Sequence, residues 1–211
     1  RTETLAIADA YKAAGVNHIV ALRGDAPKDS GGFTPHAEGF NGAIDLTRAL
    51  ADRGFDVTVG AYPETHPDAA SQAACIDHLK AKIDAGATRA ITQFFFEADT
   101  FLRFRDACAD AGITAPIIPG ILPIENWAGV QKFAASCGAA IPQVLTDAFT
   151  NAARSGTTDL LAIAQATELC DELLQGGVDH LHFYTLNKPE LTRDICRALG
   201  ISAQARLQHV A

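Results

Sequence analysis

Five apolar runs limit what this chain can fold into, because each ends abruptly in a polar or turn residue. They are residues 17–25 (NHIVALRGD), 56–63 (DVTVGAYP), 89–96 (RAITQFFF), 115–123 (APIIPGILP) and 180–187 (HLHFYTLN). The first is apolar without alternation from Ile19 to Leu22, the pattern of a strand buried on both faces, as parallel strands are. Helical spacing fills the intervals: residues 4–14, 43–53, 67–85 and 97–111, three stretches at 125–136, 143–154 and 157–174, and a closing helix at 189–199. Strands alternating with helices require a parallel sheet with right-handed crossovers. An open doubly wound sheet would carry a glycine-rich phosphate turn, and neither GxGxxG nor GxxxxGK[ST] occurs. Nearly every strand end here carries a usable side chain, which is how a (βα)8 TIM barrel builds its active site. The predicted fold is therefore α/β, a (βα)8 barrel. A complete barrel takes about 250 residues, so these residues represent about five of its eight βα units, with the N-terminal strands missing.

One domain spans residues 1–211, its last eleven residues a weakly patterned tail. The net charge is −8 with Lys and Arg scattered, which excludes the basic footprint of a nucleic-acid binder. The five cysteines are widely spaced with no CxxC pair, which favours a reducing compartment. No apolar segment reaches membrane-spanning length and no signal peptide opens the chain, so a soluble, cytoplasmic protein is expected. Methionine is absent even at position 1. A helix leading straight into a buried strand implies that earlier βα units are missing.

Arg23 and Asp25 stand where the first strand leaves the core, with Gly24 permitting a sharp turn or close approach of a ligand. Asp25 reads as a catalytic carboxylate or as a helix cap; Arg23 reads as a phosphate or carboxylate ligand, or as an ion-pair partner of Asp25 or of a neighbouring helix. Residues 26–42 are too long for a plain connector, which leaves a ligand-covering loop or a flexible insertion. Pro63 and Pro67 stiffen the turn that holds Tyr62, Glu64 and His66. Glu64 and His66 read as an acid and a base, or as half of a metal site for which no second pair of ligands is present. Gln93 lies inside IT-Q-FFF, where an amide must find partners or cost about 1–3 kcal/mol. A ligand or a backbone carbonyl would satisfy it. Tyr62, Phe133 and Tyr184 offer flat surfaces to a heteroaromatic ring, or are core. His78 and Lys82, four apart on one helix, read as a solvated surface pair. Pro119 and Gly120 point to a bulge near a site.

Taken together, LRGD (22–25), AYPE-x-HP (61–67), DAGATRAITQFFF (84–96), IIPGILP (117–123) and HFYTLN (182–187) resemble the methylenetetrahydrofolate reductase family, in register from about Tyr11 to Ile201. The resemblance implies a flavin-dependent barrel, with FAD as cofactor. It would pass a hydride from NAD(P)H to the flavin and on to 5,10-methylenetetrahydrofolate, giving 5-methyltetrahydrofolate in one-carbon and methionine metabolism. By the same resemblance Asp25 is the catalytic aspartate beside the flavin and the pterin. Gln93, Phe133, Leu186 and Lys188 fall at substrate-binding positions, Lys188 replacing an arginine. Arg23, Gly24, Tyr62, His66, His78 and Lys82 fall at FAD-lining positions, and the flavin-loop tyrosine falls at Phe40. Cys75 stands where an acid often occurs, and Gly129 where a substrate-contacting glutamine can occur. The family's general acid is a glutamate on the first strand, to which Glu64 does not correspond. The resemblance thus implies an active homo-oligomer when full length and an inactive open barrel from these residues alone. The competing readings are a non-catalytic flavin- or folate-binding remnant and a flavin barrel that oxidises an amino acid such as proline.

Overall fold

Local capping chemistry fixes where the elements begin. In the computed structural model, which describes residues 1–26 and 33–201, the Ala74 N–H donates to the Ser71 hydroxyl at 3.2 Å. That cap starts a helix at Gln72, and the preceding residues form turns and bends rather than the helix predicted from Pro67 onward. Asn126 caps in the same way through the Gly129 N–H.

The elements in chain order are α1 (Thr2–Ala13), β1 (His18–Ala21), α2 (Ala43–Ala51), β2 (Asp56–Ala61), α3 (Gln72–Asp84), β3 (Ala87–Phe94), α4 (Ala98–Asp110), β4 (Ile117–Ile121), α5 (Trp127–Cys137), α6 (Gln143–Ser155), α7 (Thr158–Gln175), β5 (His182–Phe183) and α8 (Pro189–Ala198). The five strands form one sheet in the order β1-β2-β3-β4-β5, and every neighbouring pair is parallel. Each crossover therefore steps the same way along the sheet, whereas a doubly wound sheet reverses its order. The result is a curled half-barrel of five βα units.

Three apolar clusters hold it together. Val57 and Val59 of β2 pack with Leu79 of α3 and with Phe104 and Cys108 of α4. Phe95, Phe101 and Ile121 pack with Leu169, Leu173 and Ile195. Past the C-terminal strand ends, Phe94 and Ile124 pack with Val130, Ala134 and Phe149. Among the described residues, no helix is long and apolar enough to cross a membrane.

Two expectations about the strands need correction. β1 is not buried on both faces: Val20 is 54% exposed and Leu22 61%. The apolar run suits a strand buried on both faces, but β1 is an edge strand paired only with β2 among the described residues. β5 was predicted over residues 180–186 and is only two residues long. Its last ladder pair is Ile121–Phe183, and any continuation is barred a few residues on, where Leu186 and Asn187 adopt left-handed backbone with φ of 48° and 62°. The irregularity expected at Pro119 and Gly120 is present as a register shift in the β3–β4 ladder between Ile91 and Phe94. Gly120 makes that contact possible, since a Cβ there would lie 2.2 Å from the Thr92 carbonyl oxygen and 2.6 Å from the Tyr184 ring. The loop predicted over 26–42 lies partly, at 27–32, and the tail almost wholly, at 202–211, outside the described residues.

Candidate active site

Because the strands are parallel, their C-terminal ends share one edge, and that edge gathers most of the side chains singled out in the sequence. Arg23, Gly24 and Asp25 follow β1, all three exposed, in a turn where Gly24 has φ of +81°. Tyr62 follows β2, Gln93 ends β3, and Tyr184 follows β5.

Tyr62 is the centre of one group. Burial is the main cause that lifts its phenol above the usual tyrosine range, with the Cys137 thiol and Asp25 adding to it, while a hydrogen bond with Gln93 and the nearby Arg23 pull it down. Tyr62 is thus a hydrogen-bond partner of Gln93 and lies within electrostatic reach of Cys137, Asp25 and Arg23. The Gln93 amide is half-buried, and its oxygen accepts from the Phe94 N–H at 3.0 Å. Its amide nitrogen side is thereby left for Tyr62 or a ligand. The Tyr184 hydroxyl donates to the Thr92 carbonyl at 2.8 Å, and burial raises its pKa to about 12.

A second group is basic. The His78 ring keeps an exposed edge, yet its pKa is lowered first by burial of the remainder and then by Lys82, Arg23 and His66. Four basic groups thus converge, and Asp68, 3.6 Å from Arg23, is the acid paired with that guanidinium. This corrects two readings of the sequence. Arg23 pairs with Asp68 instead of Asp25, and the Arg23 guanidinium also lies over the Phe33 ring at 4.5 Å. Lys82 is not solvated: it is 8% exposed, its ammonium donates to the Gly60 carbonyl, and burial lowers its pKa to about 8.

Glu64 and His66 do not form an acid–base pair. His66 Nδ1 accepts from the Asp68 N–H at 2.9 Å and its ring meets Tyr62 edge-on at 4.4 Å, whereas the Glu64 carboxylate accepts from the distant Ala140 N–H. The His66 N–H in turn donates to Cys75 Sγ at 3.4 Å. Phe40, half-buried, has its ring 5.5 Å from the Arg1 guanidinium.

The third group lines a cleft of about 260 Å³ between α5 and the β5–α8 connection. Phe133, Leu186 and Lys188 line it together, with Gly129 on its wall. Phe133 is 44% exposed and leans on Phe94 at 5.1 Å between centroids, so one face of the ring is free to cover a ligand. Lys188 forms an ion pair with Glu125 at 2.9 Å. Sequence reasoning missed Glu125, which has the look of an ordinary polar residue after a strand; it named Leu186 but not that residue's left-handed backbone, for which no glycine gives a signal. A non-glycine residue held there costs about 1–2 kcal/mol, which concentrates strain on the rim of the cleft.

A flat aromatic beside an amide and a carboxylate, a cluster of four basic groups, and an apolar cleft suit an extended ligand with a ring at one end and an anionic group further along. The family model described as methylenetetrahydrofolate reductase matches residues 1–200. The 5,10-methylenetetrahydrofolate reductase of Salmonella typhimurium is 45% identical over 202 residues, covering 95% of this chain and 67% of the relative. Those of Pectobacterium carotovorum and Escherichia coli are 43% and 44% identical, covering 95% and 94% of this chain and 66% of each relative. The chain thus spans about two thirds of the length of these curated relatives. Among solved structures, an uncharacterized protein from Clostridium thermocellum, described as binding two copies of 5-methyl-5,6,7,8-tetrahydrofolic acid, matches with a TM-score of 0.50 at 18% identity. That match covers 82% of this chain and 64% of the other, and it shows the shared fold. By the extent of the family match and the identity to these relatives, the chain belongs to the methylenetetrahydrofolate reductase family.

Proposed function

We propose that the protein carrying this chain reduces 5,10-methylenetetrahydrofolate to 5-methyltetrahydrofolate, with NAD(P)H as the hydride source and FAD as the carrier. The observation that bears most on this reading is the convergence of Tyr62, Gln93, Asp25 and Arg23 at the C-terminal strand ends, next to the cationic cluster. The residues present fit an FAD. Lys82, Arg23 and His66 all disfavour protonation of His78, a repulsion that a diphosphate would relieve. Tyr62 and His66 offer ring faces and edges to a planar heterocycle. When bound, the flavin supplies the capacity to take a hydride from one partner and give it to the next.

The chain's own groups have separate tasks. Asp25, exposed at the mouth, disfavours added negative charge beside it and stabilises a cationic form of the folate. Gln93 keeps donors toward the same space and orients the pterin, while Phe133 covers the ring and excludes water from one face. Leu186 and Lys188 bound the far side of the cleft.

The test is Gln93→Ala in the whole protein, assayed separately for NADH oxidation and for folate reduction. Loss of one ligand hydrogen bond is expected to slow the folate step about tenfold, with NADH oxidation changed by less than twofold. Equal impairment of both would contradict the assignment of Gln93 to the folate.

A further inference from the structure

Glu64 makes a contact that neither the fold nor the proposed chemistry requires. Its two carboxylate oxygens lie 3.0 and 3.2 Å from the Ala140 backbone nitrogen, 76 residues away. Two elements meet there. One is the turn after β2, which holds Tyr62 and His66. The other is the connection after α5, whose last turns carry Phe133 and Cys137. The same two segments touch a second time at Gly138, where a Cβ would lie 3.3 Å from the Thr65 carbonyl oxygen and 3.4 Å from the Pro67 ring. Across the same gap the Cys137 thiol is near enough to Tyr62 to influence its ionisation.

We infer that Glu64 is a positioning residue, whose carboxylate ties the Tyr62–His66 turn to the end of α5 and so fixes Phe133 relative to Tyr62 and Gln93. The inference rests on the reading that these residues face the flavin and the folate. On that reading the tie sets the spacing between the two ring systems across which a hydride must move, and small misplacements there are costly. The tie is charge-assisted, because the ionised carboxylate accepts more strongly than a neutral one. Two acidic groups face Glu64, Glu97 at the start of α4 and Cys137 at the end of α5, and no cation among the described residues forms an ion pair with it. Burial foremost, then Glu97, raises its pKa above the usual glutamate range against the lowering effect of the Ala140 N–H. The tie is therefore weakened in mildly acidic solution, where an unburied glutamate would still be ionised.

The test compares wild type, Glu64→Ala and Glu64→Gln in the whole protein. Glu64→Ala is expected to accelerate hydrogen exchange at the Ala140 amide about tenfold and to raise the KM for the folate by a similar factor, with flavin content unchanged. Glu64→Gln, which keeps an oxygen acceptor, is expected to recover most of that KM and to flatten the acidic limb of the folate kcat/KM profile. Wild-type exchange at Ala140 or a wild-type folate KM in Glu64→Ala would overturn the proposal. If Glu64→Ala does not fold, protection of the Ala140 amide in wild type, taken relative to its intrinsic exchange rate at each pH, must still fall as the pH falls through the Glu64 titration, and a flat protection would overturn it. A wild-type protein with no folate turnover would contradict the functional reading instead, while exchange at Ala140 still reports the tie.

Discussion

Lys82 shows how a single residue can be placed at the expense of stability. The fold buries its ammonium and lowers its pKa to about 8 from the ordinary 10.5, so the folded state binds protons less readily than the unfolded chain. Below pH 8 the residue is charged in both states and the whole penalty, about 3 kcal/mol, is present. As the pH rises from about 8 to 10.5 the folded form loses its proton first, and the penalty disappears. Subtracting urea unfolding curves of Lys82→Met from wild type should therefore show a difference that shrinks by about 3 kcal/mol over that window. A pH-independent difference would refute the burial argument. Asp25→Asn belongs to the same scale. It removes the negative charge that works against reduced flavin, so the reduction potential of the bound flavin is expected to rise and folate reduction to slow about tenfold or more, as read by spectroelectrochemistry and stopped flow. Residue identity was legible in the sequence where a polar group interrupts an apolar run, as Gln93 does. It was illegible for Lys82, whose four-residue spacing from His78 has the look of a solvated helix face.

At the scale of elements, α3 carries both His78 and Lys82, and its start is set by Ser71. Ser71→Ala is expected to cost about 1 kcal/mol and to weaken flavin retention without touching the flavin, measurable as a lower melting temperature and faster flavin loss on dilution. Gly120→Ala tests the β3–β4 crossing. A methyl group there collides with backbone and with the Tyr184 ring, so about 1–3 kcal/mol of destabilisation is expected by chemical denaturation. The sequence foretold five strands and eight helices in the right order, because apolar runs and helical spacing report local burial. It misjudged α3, whose first turn was hidden by prolines compatible with either a helix start or a turn, and β5, whose apolar run outlasts its pairing. It also misjudged the burial of β1, since an apolar run does not say how many neighbours a strand has. The Glu64 tie to Ala140 was beyond reach for a further reason: a contact between residues 76 apart leaves no periodic trace.

At the scale of the whole molecule, parallel strands in chain order bring five loop segments to one edge, and this alone turns scattered residues into a site. No Gly-rich motif announces it. The groups that meet there, from Arg23 to Lys188, are drawn from most of the chain, so the arrangement stands or falls as a unit. The most direct measurement is made anaerobically on the purified whole protein by visible absorption, first with NADH and then with 5,10-methylenetetrahydrofolate. The account predicts an oxidised flavin band that is bleached by the nicotinamide and restored by the folate. A protein without that band, or one whose bleached flavin stays bleached in the presence of the folate, would contradict it.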